Sequence, residues 1–151
     1  MTQTDSAIAE SDWPHPFPTP VRRTDGSAAF FDAAHEGRVQ VLRCTTCGNH
    51  GSPLDSVCAQ CGATQFDSEL AVGSGTVVCW AVVHRSPLPD VTGPYRVAIV
   101  ELLEGPWLSV RVLGDHDEPL VVGDQVTFVA VPSGMAGEGE PVLAVVTAQT
   151  D

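Results

Sequence analysis

The chain has 151 residues, 43% of them apolar and 17% charged, which is the size of one domain or of two small modules. Nineteen acidic residues face seven basic ones, all arginine, and the formal net charge is -12. This charge opposes binding to nucleic-acid phosphates and to anionic membranes, because both depend on Lys and Arg. The apolar runs are too short to span a bilayer, and the N-terminus lacks the basic and apolar regions of a secretory signal. We therefore expect a soluble, cytoplasmic protein.

Residues 1–24 predict a Pro-rich arm. The stretch DWPHPFPTP carries four prolines in nine residues, which excludes a helix or a central strand. Two aromatic residues, Trp13 and Phe17, favour docking of this arm on the protein's own surface or on a partner. A flexible tail is the alternative.

Residues 25–37 predict a short helix, with Asp25 or Ser27 as its N-cap. Phe30 and Phe31 are neighbours in its middle. Because two adjacent side chains cannot both face inward on so short a helix, we expect one of them to contact a ligand, another module or a partner.

Four of the five cysteines form two C-x-x-C pairs, CTTCG at 44–48 and CAQCG at 58–62. Each pair makes a tight turn that brings two sulfurs together, and the following glycine permits a positive φ. Two such turns facing each other supply four thiolates in a tetrahedron, which suits Zn²⁺ and leaves no position for water. We therefore predict a structural zinc ion held by Cys44, Cys47, Cys58 and Cys61.

Other interpretations of the cysteines are weaker. A rubredoxin-type iron centre uses the same four ligands and stays open. A redox motif and disulfides are disfavoured, because neither pair opens a helix and no secretory signal is present. His50 is a possible substitute ligand, although a loop histidine is the simpler interpretation. Cys79 lies in an apolar strand and is predicted to be a small buried hydrophobic residue.

The remaining chain predicts a mainly β protein. Residues 38–72 alternate strands with the two cysteine turns, which is the pattern of a rubredoxin-like zinc ribbon too short to be stable without its metal. Residues 73–151 contain five Val-rich segments separated by turns, as expected for a five-stranded OB-fold barrel. The segments are 75–85, 95–103, 106–114, 124–132 and 141–148. The first is apolar on both sides, so one side should fill the barrel and the other should be covered.

This order of parts resembles a zinc-ribbon/OB-fold family of acyl-CoA-associated proteins, catalogued as domain of unknown function family thirty-five. The resemblance covers nearly all of 14–148. It is carried by the Pro-rich entry, the helix SAAFFDAAHEGRV, the turns LRCTTCG and VCAQCG, and the strands GSGTVVCWAVVHR, GPYRVAIVEL and VVGDQVTF. The chain departs from the family at Phe31, where tryptophan is common, and it has no hydratase module.

The resemblance implies a non-catalytic accessory subunit. It would bind and stabilise a thiolase-superfamily, lipid-transfer-protein-like enzyme in a hetero-oligomer and help to hold acyl-CoA. Retro-aldol cleavage of steroid side-chain CoA thioesters is the favoured reaction of the complex, and making or cleaving 3-ketoacyl-CoA in a thiolase or acyltransferase complex is the alternative. The helix and the ribbon are the implied contact surface. The candidate partner-binding residues are the aromatic Trp13, Phe17, Phe30 and Phe31.

The phosphates of CoA require local positive charge. Arg43 on the ribbon and Arg85 and Arg96 on the barrel are the candidates, although each could equally be a surface arginine paired with an acid. We expect no catalysis by this chain alone, since it has no nucleophile elbow, phosphate loop or open metal position. Zinc ribbons and OB-folds also occur in nucleic-acid-binding proteins, but the acidic charge opposes that role here.

Overall fold

The computed structural model describes residues 17–85 and 94–148. It is mainly β with one short α-helix, as the sequence predicts. A 3-10 turn at Asp25–Ser27 precedes the helix, and the helix and strands follow in chain order: α1 Ala28–His35, β1 Gln40–Cys44, β2 His50–Gly51, β3 Phe66–Leu70, β4 Ser74–Val83, β5 Tyr95–Leu102, β6 Trp107–Val112, β7 Gln125–Val131 and β8 Val142–Thr147. No helix among the described residues is long and apolar enough to cross a membrane.

The first three strands form a small antiparallel sheet in the order β2-β1-β3. The central strand β1 pairs with β3 over five residues, from Gln40 opposite Leu70 to Cys44 opposite Phe66. The two cysteine turns lie in the connections that follow β1 and β2. This arrangement places both turns at one end of the sheet, which is compatible with a zinc ribbon.

The last five strands close into a barrel in the order β4-β5-β6-β8-β7, and β4 pairs with β7 to complete it. All neighbours are antiparallel except β6 and β8, which are parallel. The order corresponds to the five-stranded barrel of an OB-fold. Closure leaves few unpaired strand edges, and the sequence prediction of this barrel is confirmed.

Alternation along the strands separates the barrel interior from its outer side. Ala98 and Val100 on β5 are buried, whereas Val97 and Ile99 between them are half-buried and face outward. The interior is continuous with the base of the ribbon and with α1. The buried residues that join them include Ala34, Val39, Val41, Ala71, Val77, Val100 and Val126.

Strand β4 contains a register shift between Val77 and Cys79. Beyond this bulge Cys79 pairs with Ile99 and Ala81 pairs with Val97, which places both on the outer side of the barrel. Both are exposed. The prediction that Cys79 is buried is therefore wrong, because its side of the strand faces away from the core and the ribbon does not cover it.

Candidate metal centre and the surfaces around it

Four sulfur atoms meet at the end of the ribbon. The Sγ atoms of Cys44 and Cys61 lie 3.6 Å apart, as do those of Cys47 and Cys58. All four lie within 4.8 Å of one another. Each close pair therefore contains one sulfur from the first turn and one from the second, as expected if both turns bind the same metal ion.

Both turns have the same backbone conformation. The amide of Gly48 donates to the Cys44 carbonyl, and the amide of Gly62 donates to the Cys58 carbonyl, each at 2.9 Å. The φ angles of the two glycines are 78° and 77°. Other residues adopt this left-handed region at a cost, so the glycines allow the chain to turn back after the second cysteine of each pair.

The sulfur cluster fits a tetrahedral metal. A Zn–S bond of about 2.3 Å requires sulfurs about 3.8 Å apart, close to the observed separations. Four sulfur donors also suit iron, so the cluster is compatible with either metal in a tetrahedral thiolate site. Since all four positions would be taken by protein, a metal held here has a structural role and offers no site for a reacting water.

Backbone amides lower the pKa of two of the cysteine thiols, which favours the thiolate form that binds a metal. Hydrogen bonding to the amide of Cys47 lowers the pKa of the Cys44 thiol to about 6, and the amide of Cys61 lowers the pKa of Cys58 in the same way. The pKa of Cys61 is raised to about 12, because desolvation and the three neighbouring sulfurs outweigh the amide of Ala63. Four thiolates this close repel one another, and a bound cation would relieve the repulsion.

His50 does not join the sulfur cluster. It lies on β2, and its Nε2 atom lies 2.6 Å from Oε2 of Glu69 on β3. Its side chain therefore links the outer strands of the ribbon.

The two phenylalanines of α1 take different positions. Phe30 packs against the core, and the Phe31 ring lies edge-on to it with centroids 5.4 Å apart and planes at 84°. Phe31 is half-buried at the surface. Phe17 is also half-buried, against the barrel, and Trp13 lies outside the described residues.

The three candidate CoA-binding arginines lie in three different settings. Arg43 is exposed on β1 and lines a groove of about 310 Å³ beside the first cysteine turn. Arg85 is exposed just after β4. Arg96 is 1% exposed inside the barrel, where it donates to the carbonyls of Glu118 at 2.9 Å and Leu113 at 3.3 Å. Its guanidinium therefore stabilises the loop between β6 and β7.

A charged network that the sequence analysis did not foresee joins the arm, α1 and the barrel. Arg23 donates to both carboxylate oxygens of Glu140, at 2.8 and 3.0 Å, and to Asp32 at 2.7 Å. His35 Nε2 lies 2.9 Å from Glu140. Hydrogen bonding to Arg23, more than to His35, holds the pKa of Glu140 below its usual range.

The described end of the arm docks on the barrel's loop between β7 and β8. The amide of Val21 donates to Ser133 Oγ at 2.9 Å, and the Val21 carbonyl accepts from the amide of Glu140 at 2.7 Å. The Phe17 carbonyl accepts from Gly134 at 2.9 Å. Part of the predicted arm thus covers the protein's own surface, including Arg111, which the sequence analysis did not single out.

Comparison with known proteins agrees with this geometry. A family model described as the C-terminal OB-fold domain of ChsH2 matches residues 69–131. Two archaeal proteins named DUF35 domain-containing scaffold proteins match over 90 residues, or 58% of this chain. The one from Methanocaldococcus jannaschii is 32% identical over 64% of its length, and the one from Methanothermobacter thermautotrophicus is 30% identical over 67% of its length. The chain belongs to the DUF35 family.

This DUF35 chain is also similar to part of a third protein and to one chain of a solved structure. A probable enoyl-CoA hydratase alpha subunit from Thermomonospora curvata is 34% identical over 111 residues, or 74% of this chain. That match spans only 34% of the hydratase subunit's length. A chain of the solved Ltp2-ChsH2(DUF35) aldolase superposes with a TM-score of 0.71 at 28% identity, over 84% of this chain and 98% of that one.

Proposed function

We propose that this DUF35 chain is a non-catalytic accessory subunit that binds and stabilises a thiolase-superfamily enzyme and helps to hold its acyl-CoA substrate. The observation that carries the proposal is the likeness to almost the full length of a chain from an aldolase assembly. The names of the archaeal relatives, which call them scaffold proteins, support a role in assembly. The closed cysteine site agrees with this role, since it offers no position for substrate chemistry.

The metal in this proposal is zinc. It would join the turn after β1 to the turn after β2 through the four cysteines, and so fix the end of the ribbon. Because a sheet as small as the ribbon has little core of its own, the free energy of zinc binding contributes directly to its folding. The metal would therefore act on the partner only through the shape of the ribbon surface.

The contact surface in this proposal consists of α1 and the ribbon. Phe31 is half-buried at the surface of α1, while Phe30 packs against the core. The ribbon and the residues just after it expose four aliphatic side chains, Leu54, Val57, Leu70 and Val72, with exposed fractions from 45% to 91%. Exposed apolar side chains that lie together mark protein interaction sites, so we propose these four as candidates for the contact.

The reaction belongs to the partner. We favour retro-aldol cleavage, which the likeness to an aldolase structure supports. Steroid side-chain CoA thioesters are the substrates that the family resemblance implies. Thiolytic or Claisen chemistry on 3-ketoacyl-CoA is the alternative. Of the three candidate arginines, Arg43 and Arg85 are exposed and suited to meet CoA phosphates, while Arg96 would act by shaping the barrel.

Co-expression with a candidate thiolase-superfamily partner tests the proposal. Size-exclusion chromatography with light scattering should give one peak with the mass of a hetero-oligomer. Phe31→Asp should separate the two proteins, because it places a charge in the apolar contact. Val122→Asp changes an equally apolar residue, 66% exposed on the loop before β7, and should leave the complex intact. Separate elution of the wild-type proteins would contradict the proposal.

A further inference from the structure

Four large apolar side chains lie exposed along a line that runs from the ribbon onto the barrel, and we call them the apolar stripe. Leu70 ends β3, Val72 lies between β3 and β4, Leu103 follows β5, and Trp107 begins β6. Their exposed fractions are 45%, 74%, 72% and 54%. Leu70 lies at the end of the ribbon away from the cysteine turns, so the metal centre does not account for the stripe.

Hydrogen bonds between the segments place the ribbon end of the stripe beside the barrel end. The amide of Val72 donates to Oε2 of Glu104 at 3.2 Å, which brings the connection after β3 against the turn between β5 and β6. In the same turn the amide of Leu103 donates to the carbonyl of Ser74 at 3.2 Å. The stripe therefore crosses the junction between the two sheets.

Two carboxylates lie along the stripe. Glu101 on β5 pairs with Trp107 on β6, and the indole Nε1 donates to Oε2 of Glu101 at 2.7 Å. The other carboxylate, Glu104, accepts from the Val72 amide, and its Oε1 atom has no hydrogen-bond partner. The salt bridges within the described part of the chain involve neither Glu101 nor Glu104. The stripe thus combines apolar surface with negative charge.

This negative charge selects the kind of partner. A second copy of the chain carries the same net charge of -12 and the same two carboxylates, so like charges would meet if two stripes packed together. A different protein that presents apolar side chains beside Arg or Lys would cover the stripe and pair with Glu101 and Glu104. Such pairing is needed because a carboxylate that loses water without a partner is costly.

We propose that the apolar stripe binds the thiolase-superfamily partner through a surface segment that combines apolar side chains with at least one arginine or lysine, an inference that rests on the proposed function. It extends the contact from the ribbon to the turn between β5 and β6 and defines the chemistry of the partner's surface. One segment of the partner would then contact both sheets of this chain.

Binding of the full-length, metal-loaded chain to the purified partner tests the apolar part of the contact. Leu103→Asp should weaken binding by about tenfold or more, because it places a charge in the contact. Val72→Asp should have the same effect at the ribbon end. Val122→Asp, which changes a residue 66% exposed on the loop before β7, should bind as the wild type. All three residues are exposed, so the melting temperatures should stay close to that of the wild type.

Glu104→Gln tests the charge. Glutamine keeps an oxygen that accepts from the Val72 amide, so the substitution removes the charge alone. Association with the partner should slow by about threefold at low ionic strength and depend less on salt, since opposite charges steer the encounter. Asp117→Asn removes the same charge from the loop after β6, where the side chain is 84% exposed, and should leave the association rate close to that of the wild type.

The outcomes separate this inference from the proposed function. If the partner binds the wild type, Leu103→Asp and Val72→Asp equally well, the stripe is not the contact and the inference fails while the proposed function stands. An association rate of Glu104→Gln equal to that of the wild type would overturn the basic partner segment. If the wild type does not bind the partner, both fail. If the chain alone is a dimer that Leu103→Asp converts to a monomer, a second copy covers the stripe and the inference is wrong.

Discussion

Arg23 and Glu140 form a two-point ion pair between residues 117 positions apart in the chain, with Nε–Oε1 at 2.8 Å and Nη2–Oε2 at 3.0 Å. Arg23 also binds Asp32 of α1, and His35 of α1 lies against the same Glu140 carboxylate. One carboxylate on the loop before β8 therefore positions both the arm and the helix. Because α1 carries Phe31, this pair sets the orientation of the proposed contact surface.

Glu140→Gln should lower the melting temperature and increase amide hydrogen exchange in α1. The substitution keeps the shape of the side chain but removes the charge that holds Arg23 and His35. Glu36→Gln, at the exposed end of the same helix, is the matched control and should behave as the wild type. Equal exchange rates in α1 for both variants would show that the network does not hold the helix.

The same pair predicts a pH dependence of stability. Hydrogen bonding to Arg23 depresses the pKa of Glu140 in the folded protein. Its stabilising effect should therefore be complete above the pKa of an unfolded glutamate, about 4.3, and be lost as the pH falls through the lower folded value. Urea unfolding between neutral and acid pH measures this effect. The free energy of unfolding should fall less in Glu140→Gln than in the wild type, and parallel curves would contradict the assignment.

Cys58→Ala should release the metal and loosen the ribbon. Structural zinc contributes on the order of 10 kcal/mol to the folding of small modules, so the loss should be severe in the ribbon and reach the core that the ribbon shares with the barrel. Elemental analysis and thermal melting check this prediction. Cys79→Ala, the exposed cysteine on β4, should keep one metal per chain. If Cys58→Ala kept one metal per chain and an unchanged melting temperature, the assignment of the metal site would be wrong.

Gly62→Ala should destabilise the second cysteine turn by about 1–2 kcal/mol, because a non-glycine residue pays this cost at positive φ. A Cβ at Gly62 would meet no atom of the described residues within 4 Å, so we expect the effect to come from backbone conformation. Gly26→Ala, where φ is not positive, should cost much less. Denaturant unfolding of the metal-loaded proteins compares Gly62→Ala with Gly26→Ala. Equal losses of unfolding free energy in the two variants would argue against a conformational cause.

The sequence predicted the parts whose signals are local. The two cysteine pairs, the short helix with Phe30 and Phe31, and the five barrel strands depend on spacing and alternation over a few residues. The pairs Arg23–Glu140 and Val21–Ser133 could not be predicted, because their members are more than one hundred positions apart. Arg111 on β6 was not singled out, because nothing local in the sequence indicated that the arm would lie against it.

The errors have a similar cause. Cys79 was expected to be buried because its strand is apolar on both sides, and only the pairing beyond the bulge in β4 determines which side faces the core. Arg96 was expected to meet CoA phosphates or to be a surface arginine paired with an acid. Its side chain is instead buried in the barrel, where it donates to the loop carbonyls of Leu113 and Glu118. Both outcomes depend on strand register, which short sequence patterns do not determine.

The turnover of a thiolase-superfamily partner, measured with and without this chain, tests the account most directly. The two proteins would be produced separately and together, and cleavage of the acyl-CoA substrate would be followed under the same conditions. We predict that the partner alone is poorly soluble or nearly inactive, and that the metal-loaded chain restores its activity while Phe31→Asp does not. A partner that is soluble and fully active alone would contradict the role of an accessory subunit.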